Sequence, residues 1–153
     1  SSILLRDYSD INVRDGRALI AEKGLQDTAQ FVQADAFDRI SLATVTPRPT
    51  LAVVSGLYEL FPDNEMVQRS LAGVGDAVED RGYLVYTGQP WHPQLEMIAR
   101  ALTSHRQGEA WVMRRRTQVE MDQLVEEAGF RKIDQRVDEW GIFTVSLAVR
   151  TGR

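Results

Sequence analysis

The sequence predicts an α/β fold: an open, mainly parallel sheet with helices on both faces and an antiparallel strand pair at its C-terminal end. Three observations carry this. Short β-rich runs alternate with stretches of helical periodicity. "LAVVSG" (51–56) is a nearly continuous apolar run, as expected of a parallel strand covered on both faces. Near the C-terminus, "RKIDQRVDEW" and "IFTVSLAVR" follow one another around Gly141 with no helix between them, which reads as an antiparallel pair.

The elements follow in order. Ile3, Leu4 and Leu5 open a short strand that closes on Asp7. Ser9 or Asp10 then caps a helix running to about Lys23, with Gly24 as its C-terminal stop. "AQFVQAD" (29–35) is a strand that again ends on an acid, Asp35. "RISLATVTPRPT" reads as a loop broken by Pro47 and Pro49, and leads into the apolar strand at 51. Asp63 caps a clean amphipathic helix with Val67, Leu71, Val74 and Val78 on one face. "YLVYTG" (83–88) is the next strand. Pro93 suits the first turn of a helix whose Leu95, Ile98, Ala99 and Leu102 share a face. Thr117 and Glu120 make a capping box for a last helix that ends at Gly129. Neither an internal repeat nor a low-complexity tract interrupts this order, and one domain over 1–153 is expected.

Composition narrows the function classes. At 153 residues the chain can bury about 70% of its unfolded surface. Its 43% hydrophobic and 26% charged residues are ordinary for a soluble domain. A net charge of −4 and a pI near 5.2 argue against a general nucleic-acid binder. No apolar run reaches the roughly 18–20 residues that span a bilayer, and no signal peptide is visible. With zero cysteines, disulfides, thiolate metal sites and cysteine nucleophiles are excluded, and a reducing, cytoplasmic setting fits. Acidic pairs such as Asp138-Glu139 lack the histidine partners and spacing of a metal site, so no metal is expected.

In such sheets ligands bind beyond the carboxyl ends of the parallel strands. The residues there are Asp7, Asp35, Ser55-Gly56 and Thr87-Gly88. One carboxylate can accept from both hydroxyls of a ribose and another from an exocyclic amine, while glycine lets backbone amides come close to a ligand. The plain alternative is that aspartate ends strands because it favours turns and helix caps.

The ordered set of segments resembles a class I S-adenosylmethionine-dependent methyltransferase, a Rossmann-like fold, from its second strand to its last. "ILLRDYSDINVRDGRALIAEKGL" is similar to the family's second strand, acidic ribose ligand and following helix. "AQFVQADAF" resembles the third strand, "LAVVSGLYELFPDNEMV" the fourth strand and its turn, "LAGVGDAVEDRGYLVYTGQP" the helix and fifth strand, and "LVEEAGFRKID" the late helix before the sixth. More narrowly, the chain is similar to methyltransferase domains of bacterial proteins that carry an α/β-hydrolase-like region upstream. The resemblance implies S-adenosylmethionine as cofactor, contacted by Asp7, Tyr8, Asp35, Ala36, Phe37, Ser55 and Gly56. It also implies a small-molecule or lipid-like methyl acceptor, and it leaves an oligomer open.

One element of that family has no counterpart. Its first strand, ending in a Gly-rich cofactor turn, does not occur here; Gly73 and Gly75 in "GVGDAVEDRG" lie inside an amphipathic helix instead of after a strand. In the family's strand order, 3-2-1-4-5-7-6, the absent strand is the central one. Two outcomes are expected: the chain is a fragment of a longer enzyme, or residues 3–6 pair directly with 51–55.

Methyl transfer from a sulfonium mostly requires alignment and exclusion of water, with a base where the acceptor is a hydroxyl or ammonium. The candidates for catalysis are Tyr58, Glu59 and His92; those for acceptor binding are Tyr86, Trp91, Arg114 and Arg115, with Arg116 completing a basic run. Packing is the plain alternative for Tyr58 and Trp91, a surface helix cap for His92, and solvated pairing with acids for the arginines. His105 is assigned no role. Two other readings stay open: a dinucleotide-dependent oxidoreductase, which the second acid Asp35 and the antiparallel end disfavour, and a non-catalytic module working through an open strand edge.

Overall fold

The computed structural model describes residues 1–102 and 114–152; His105 lies outside them. Strands β1 (Ile3–Asp7) and β2 (Ala29–Gln33) pair in parallel, joined by helix α1 (Asp10–Glu22). A second sheet contains β3 (Leu51–Val54), β4 (Tyr83–Gly88), β5 (Phe130–Val137) and β6 (Thr144–Arg150) in the order β3-β4-β6-β5. The β3–β4 pair is parallel; β4–β6 and β5–β6 are antiparallel. Parallel pairing is therefore shared between two sheets, and the larger sheet is mixed. Read across both, the strand sequence β2-β1 followed by β3-β4-β6-β5 reproduces the expected order on either side of its central strand.

Between those halves no ladder joins residues 3–6 to 51–55 among the described residues. Of the two expected arrangements, direct pairing does not form.

Local signals account for most elements. Ser9 accepts from the Asn12 amide at the start of α1. At its end Gly24, at φ 65°, donates to the Ala21 carbonyl while Leu25 donates to Ile20, a Schellman stop. Helix α3 (Asn64–Ala77) begins at Asp63 and buries Val67, Leu71 and Val74 as the pattern requires. Its two glycines serve packing. A Cβ on Gly73 would stand 2.7 Å from Leu42 Cδ1, and one on Gly75 would stand 2.5 Å from the Ala128 carbonyl oxygen. Helix α5 (Gln118–Glu127) starts with the Glu120 amide donating to Thr117 Oγ1. Asp138 Oδ1 accepts from the Ile142 and Phe143 amides and shapes the turn between β5 and β6.

Three expectations are corrected. The loop after β2 contains a short helix, α2 (Arg39–Ala43), capped by Asp38 accepting from the Ser41 amide. Five residues are too few to display a helical period. Strand β3 is covered on one face only: Ala52 and Val54 join the core, while Leu51 and Val53 are 49% and 61% exposed. Helix α4 (Leu95–Ala101) follows Pro93 as expected, but its apolar face buries no residue.

Helices do stand on both faces. In β1–β2, Phe31 meets Gly16 of α1, whereas Arg6, one position along from Leu5, donates to the Ser41 hydroxyl and carbonyl of α2 on the opposite side. The main core lies between α3, α5 and the larger sheet, with Leu71, Leu84, Tyr86, Val125 and Phe130 nearly inaccessible. Among the described residues, no helix is long and apolar enough to cross a membrane.

Candidate functional site

The carboxyl ends of β1, β2, β3 and β4 bring the predicted acids and small-residue turns to one edge. The last β1–β2 ladder contact, from the Ala34 amide to the Asp7 carbonyl, leaves the Asp7 side chain over the start of α1. Its Oδ1 accepts from the Ser9 amide at 2.8 Å and its Oδ2 from Asn12 Nδ2 at 3.1 Å, so the carboxylate is held in one orientation. Tyr8 is 77% exposed beside it, and its carbonyl accepts from Gln33 Nε2. After β2, Asp35 Oδ1 accepts from the Phe37 amide at 2.8 Å. Ala36 and Phe37 are half-buried, and the Phe37 ring meets Phe61 edge-on with centroids 4.4 Å apart.

Beyond β3, Ser55 is exposed and Gly56 takes φ 65°, with nothing within 4 Å of the direction a Cβ would occupy. The Gly56 amide donates to Thr87 Oγ1 at 2.8 Å, which ties the ends of β3 and β4 together. Thr87 in turn donates to Glu59 Oε1 across a long 3.4 Å. Glu59 Oε2 is buried and has no hydrogen-bond partner among the described residues. Glu59 also lines a cavity of about 240 Å³ with Gly56, Leu60, Thr87 and Phe143.

Other candidates are placed elsewhere. Tyr58 is buried in the core, its hydroxyl 2.9 Å from Ser70 Oγ, and burial raises its pKa. Tyr86 is turned the same way. Its hydroxyl donates to Asp122 Oδ1 at 2.8 Å, and burial first, then that hydrogen bond, raise its pKa. An expected base and an expected acceptor contact are thus packing residues, because each sits on the strand or turn face that meets α3 and α5. His92 Nδ1 accepts from the Gln94 amide in the loop before α4, and Trp91 beside it is 55% exposed. Neither is hydrogen-bonded to the acids of the edge.

The arginine run is mostly structural. Arg114 donates to the Pro62 carbonyl and pairs with Glu120. Arg116 is buried and donates to the Tyr58 and Phe61 carbonyls and to Asn64 Oδ1, at 2.7, 2.8 and 2.8 Å. Burial, then Arg114, lower its pKa, while Glu120 and Glu59 act against them. Arg115 is half-buried, its pKa lowered by burial and partly restored by Glu59. Sequence reasoning missed Arg116 as a clamp and Phe143 as a cavity wall. Phe143 reaches the site only through the β5–β6 turn, a contact that no local pattern announces.

This arrangement of strands and helices is shared with solved methyltransferases. The chain superposes on a SAM-dependent methyltransferase from Methanosarcina mazei with a TM-score of 0.73 at 20% identity, covering 97% of this chain and 82% of that one. For a S-adenosylmethionine-dependent methyltransferase from Clostridium acetobutylicum the score is 0.75 at 9% identity, covering 99% and 76%. For the magnesium protoporphyrin IX methyltransferase of Synechocystis it is 0.71 at 14%, covering 98% and 64%. The fold is therefore that of class I methyltransferases. A family model described as "putative methyltransferase" matches residues 1–150, and the chain belongs to that family. It is also 63% identical over 150 residues to the uncharacterized protein YnbC of Escherichia coli. That match covers 98% of this chain and 26% of the relative, so the chain spans about a quarter of the length of the curated relative it matches.

Proposed function

We propose that these residues form most of an S-adenosylmethionine site and that the protein methylates a small-molecule or lipid-like acceptor as part of a longer polypeptide, in the cytoplasm. The observation that carries this is the pair of oriented carboxylates, Asp7 and Asp35, at the ends of adjacent parallel strands. The residues fit the cofactor. Among the described residues each Asp7 oxygen accepts one protein hydrogen bond and keeps capacity for a ribose hydroxyl. Asp35 with Ala36 and Phe37 offers an acceptor for an amino group beside an apolar wall. The open backbone at Gly56 admits close approach. The bound cofactor would supply an already activated methyl group, leaving this chain to orient, bind and exclude water. Bound SAH in the Synechocystis enzyme supports the reading.

No ladder joins β1 to β3 among the described residues, and we assign the place between them to a Gly-rich strand and turn elsewhere in the longer polypeptide. The same open edges favour a second reading, a non-catalytic module that recruits a partner strand.

Calorimetry with SAM and SAH separates the two. We expect weak or absent binding by the 153 residues alone and clear binding by the longest natural polypeptide that contains them. In the latter, Asp7→Asn or Asp35→Asn weakens SAH binding about tenfold, as loss of one hydrogen bond to a charged group implies. No binding by the long polypeptide would favour the interaction module. Tight binding by residues 1–153 alone would remove the need for the added strand.

A further inference from the structure

We infer that the outer face of the larger sheet, turned away from α3 and α5, docks an amphipathic α-helix that the same longer polypeptide supplies from outside residues 1–153. The inference rests on the longer polypeptide proposed above but not on methyl transfer.

Alternation builds this face. Leu84 and Tyr86 of β4 and Ser146 and Ala148 of β6 are buried on the core side, so the residues between them point outward. The ladders set those outward residues side by side: Leu51 with Tyr83, Val53 with Val85, and Val85 with Leu147, with Val145 next along β6. The result is one apolar patch across three strands, in which Val53 is 61% and Val145 45% exposed.

A sheet that faces water on one side carries polar residues there. Strand β5 obeys that rule: it places Arg131 opposite Val149, Asp134 opposite Leu147 and Arg136 opposite Val145. Strands β3, β4 and β6 do not. The face changes from apolar to charged between two neighbouring strands, which marks where its cover ends. With two arginines against one aspartate, that margin favours acidic residues on the adjoining flank of the helix.

The dimensions suit a single helix. Strands about 4.8 Å apart put β3 and β6 about 10 Å from each other, close to a helix diameter. The outward positions of β6 run over about 13 Å, the length of roughly nine helical residues.

The fold already contains the start of this layer. Helices α1 and α2 stand on opposite faces of β1–β2, where Phe31 meets Gly16 and Arg6 reaches Ser41. Helix α2 packs on α3, with Leu42 against Gly73, so α1 takes the other side, that of the uncovered face. Right-handed crossovers require the same division. Helix α1 carries the chain outward from β1 to β2 and α3 outward from β3 to β4, in opposite directions. This chain matches only 26% of the relative YnbC, which leaves ample sequence for the next helix of the layer.

The test uses the longest natural polypeptide and cysteine labelling, since residues 1–153 contain no cysteine of their own. Positions 145 and 136 stand directly opposite each other on one face. In the native protein a neutral maleimide should modify Val145→Cys about 100-fold more slowly than Arg136→Cys, with equal rates after denaturation. Native rates within about threefold of each other would overturn the inference. Protection of position 145 that disappears on dilution would also overturn it, because a second copy would then be the cover. In wild-type protein grown with photo-leucine, irradiation should join Leu147 to a segment outside residues 1–153, whereas adducts only within them would sink the assignment. Leu147 lies two strands beyond β3, out of reach of the strand assigned between β1 and β3. Failure of SAH to bind while position 145 stays protected would remove the methyltransferase reading and leave the docked helix in place.

Discussion

Arg116 is the side chain that holds the Glu59 turn in place, so its removal is the sharpest probe of the site's construction. Its planar guanidinium donates in three directions: to Tyr58 O and Phe61 O at the two ends of the turn, and to Asn64 Oδ1 at the start of α3. A hydrogen bond from a charged donor contributes about 1.5–3 kcal/mol net. The gross sum for three is an upper bound, because Arg116→Met also relieves the cost of burying a charge and packs a chain of similar length. We therefore expect a loss of about 2–4 kcal/mol. With a urea slope of about 1–3 kcal/mol per M, that moves the unfolding midpoint down by on the order of 1–2 M. Arg116→Lys should recover less than half, since an ammonium cannot span three acceptors in a fixed fork. Hydrogen exchange adds a local readout: the Leu60 and Phe61 amides, bonded within the turn to Leu57 and Tyr58, should lose protection first. An Arg116→Met unfolding free energy within about 0.5 kcal/mol of wild type would refute the clamp.

Two further outcomes follow from the core. Gly73→Ala gains roughly 1 kcal/mol of helix propensity but places a methyl against Leu42 and the Arg39 backbone, so a net loss of about 1–2 kcal/mol is expected. A raised melting temperature would refute the close packing of α2 on α3. Tyr58 and Tyr86 have folded-state pKa values raised by burial above the unfolded value near 10. The unfolded chain then sheds protons first, so their contribution is complete below about pH 10 and declines as pH rises beyond it. Absorbance at high pH should show phenolate signal withheld until alkaline unfolding, and the Tyr58→Phe, Tyr86→Phe double variant should lack that withheld part.

Much of the fold was legible because its signals are local. Asp63 before Val67, Leu71 and Val74, Thr117 before Glu120, and Gly24, Gly129 and Gly141 at positive φ each state a boundary within a few residues. The edge acids were legible for the same reason, since a strand that ends on Asp7 or Asp35 announces its own terminus. What local sequence cannot carry is the identity of the neighbour. Tyr86 reads as an aromatic near a strand end, and only the register that sets Val54 beside Tyr86 and Tyr86 beside Ser146 turns it towards α5. Likewise Leu51 and Val53 look as apolar as Ala52 and Val54, yet alternation sends them to the uncovered face. Arg116 reads as surface charge until three oxygens from residues 52 to 58 positions earlier surround it.

The segment that reads as a featureless loop aligns the site. Because β1 and β3 share no ladder, backbone pairing does not fix Asp7 and Asp35 relative to Gly56 and Glu59. Side chains around α2 supply that connection. Arg6 reaches from β1 to Ser41, Leu42 lies against Gly73, Arg39 pairs with Asp76 on α3, and Phe37 meets Phe61 just past the Glu59 turn. Three of these contacts tie α2 to strand or helix across more than 30 residues, one to β1 of the smaller sheet and two to α3, which packs on the larger. The edge that carries Asp7 and Asp35 and the turn that carries Glu59 are therefore joined through α2, Phe37 and Phe61.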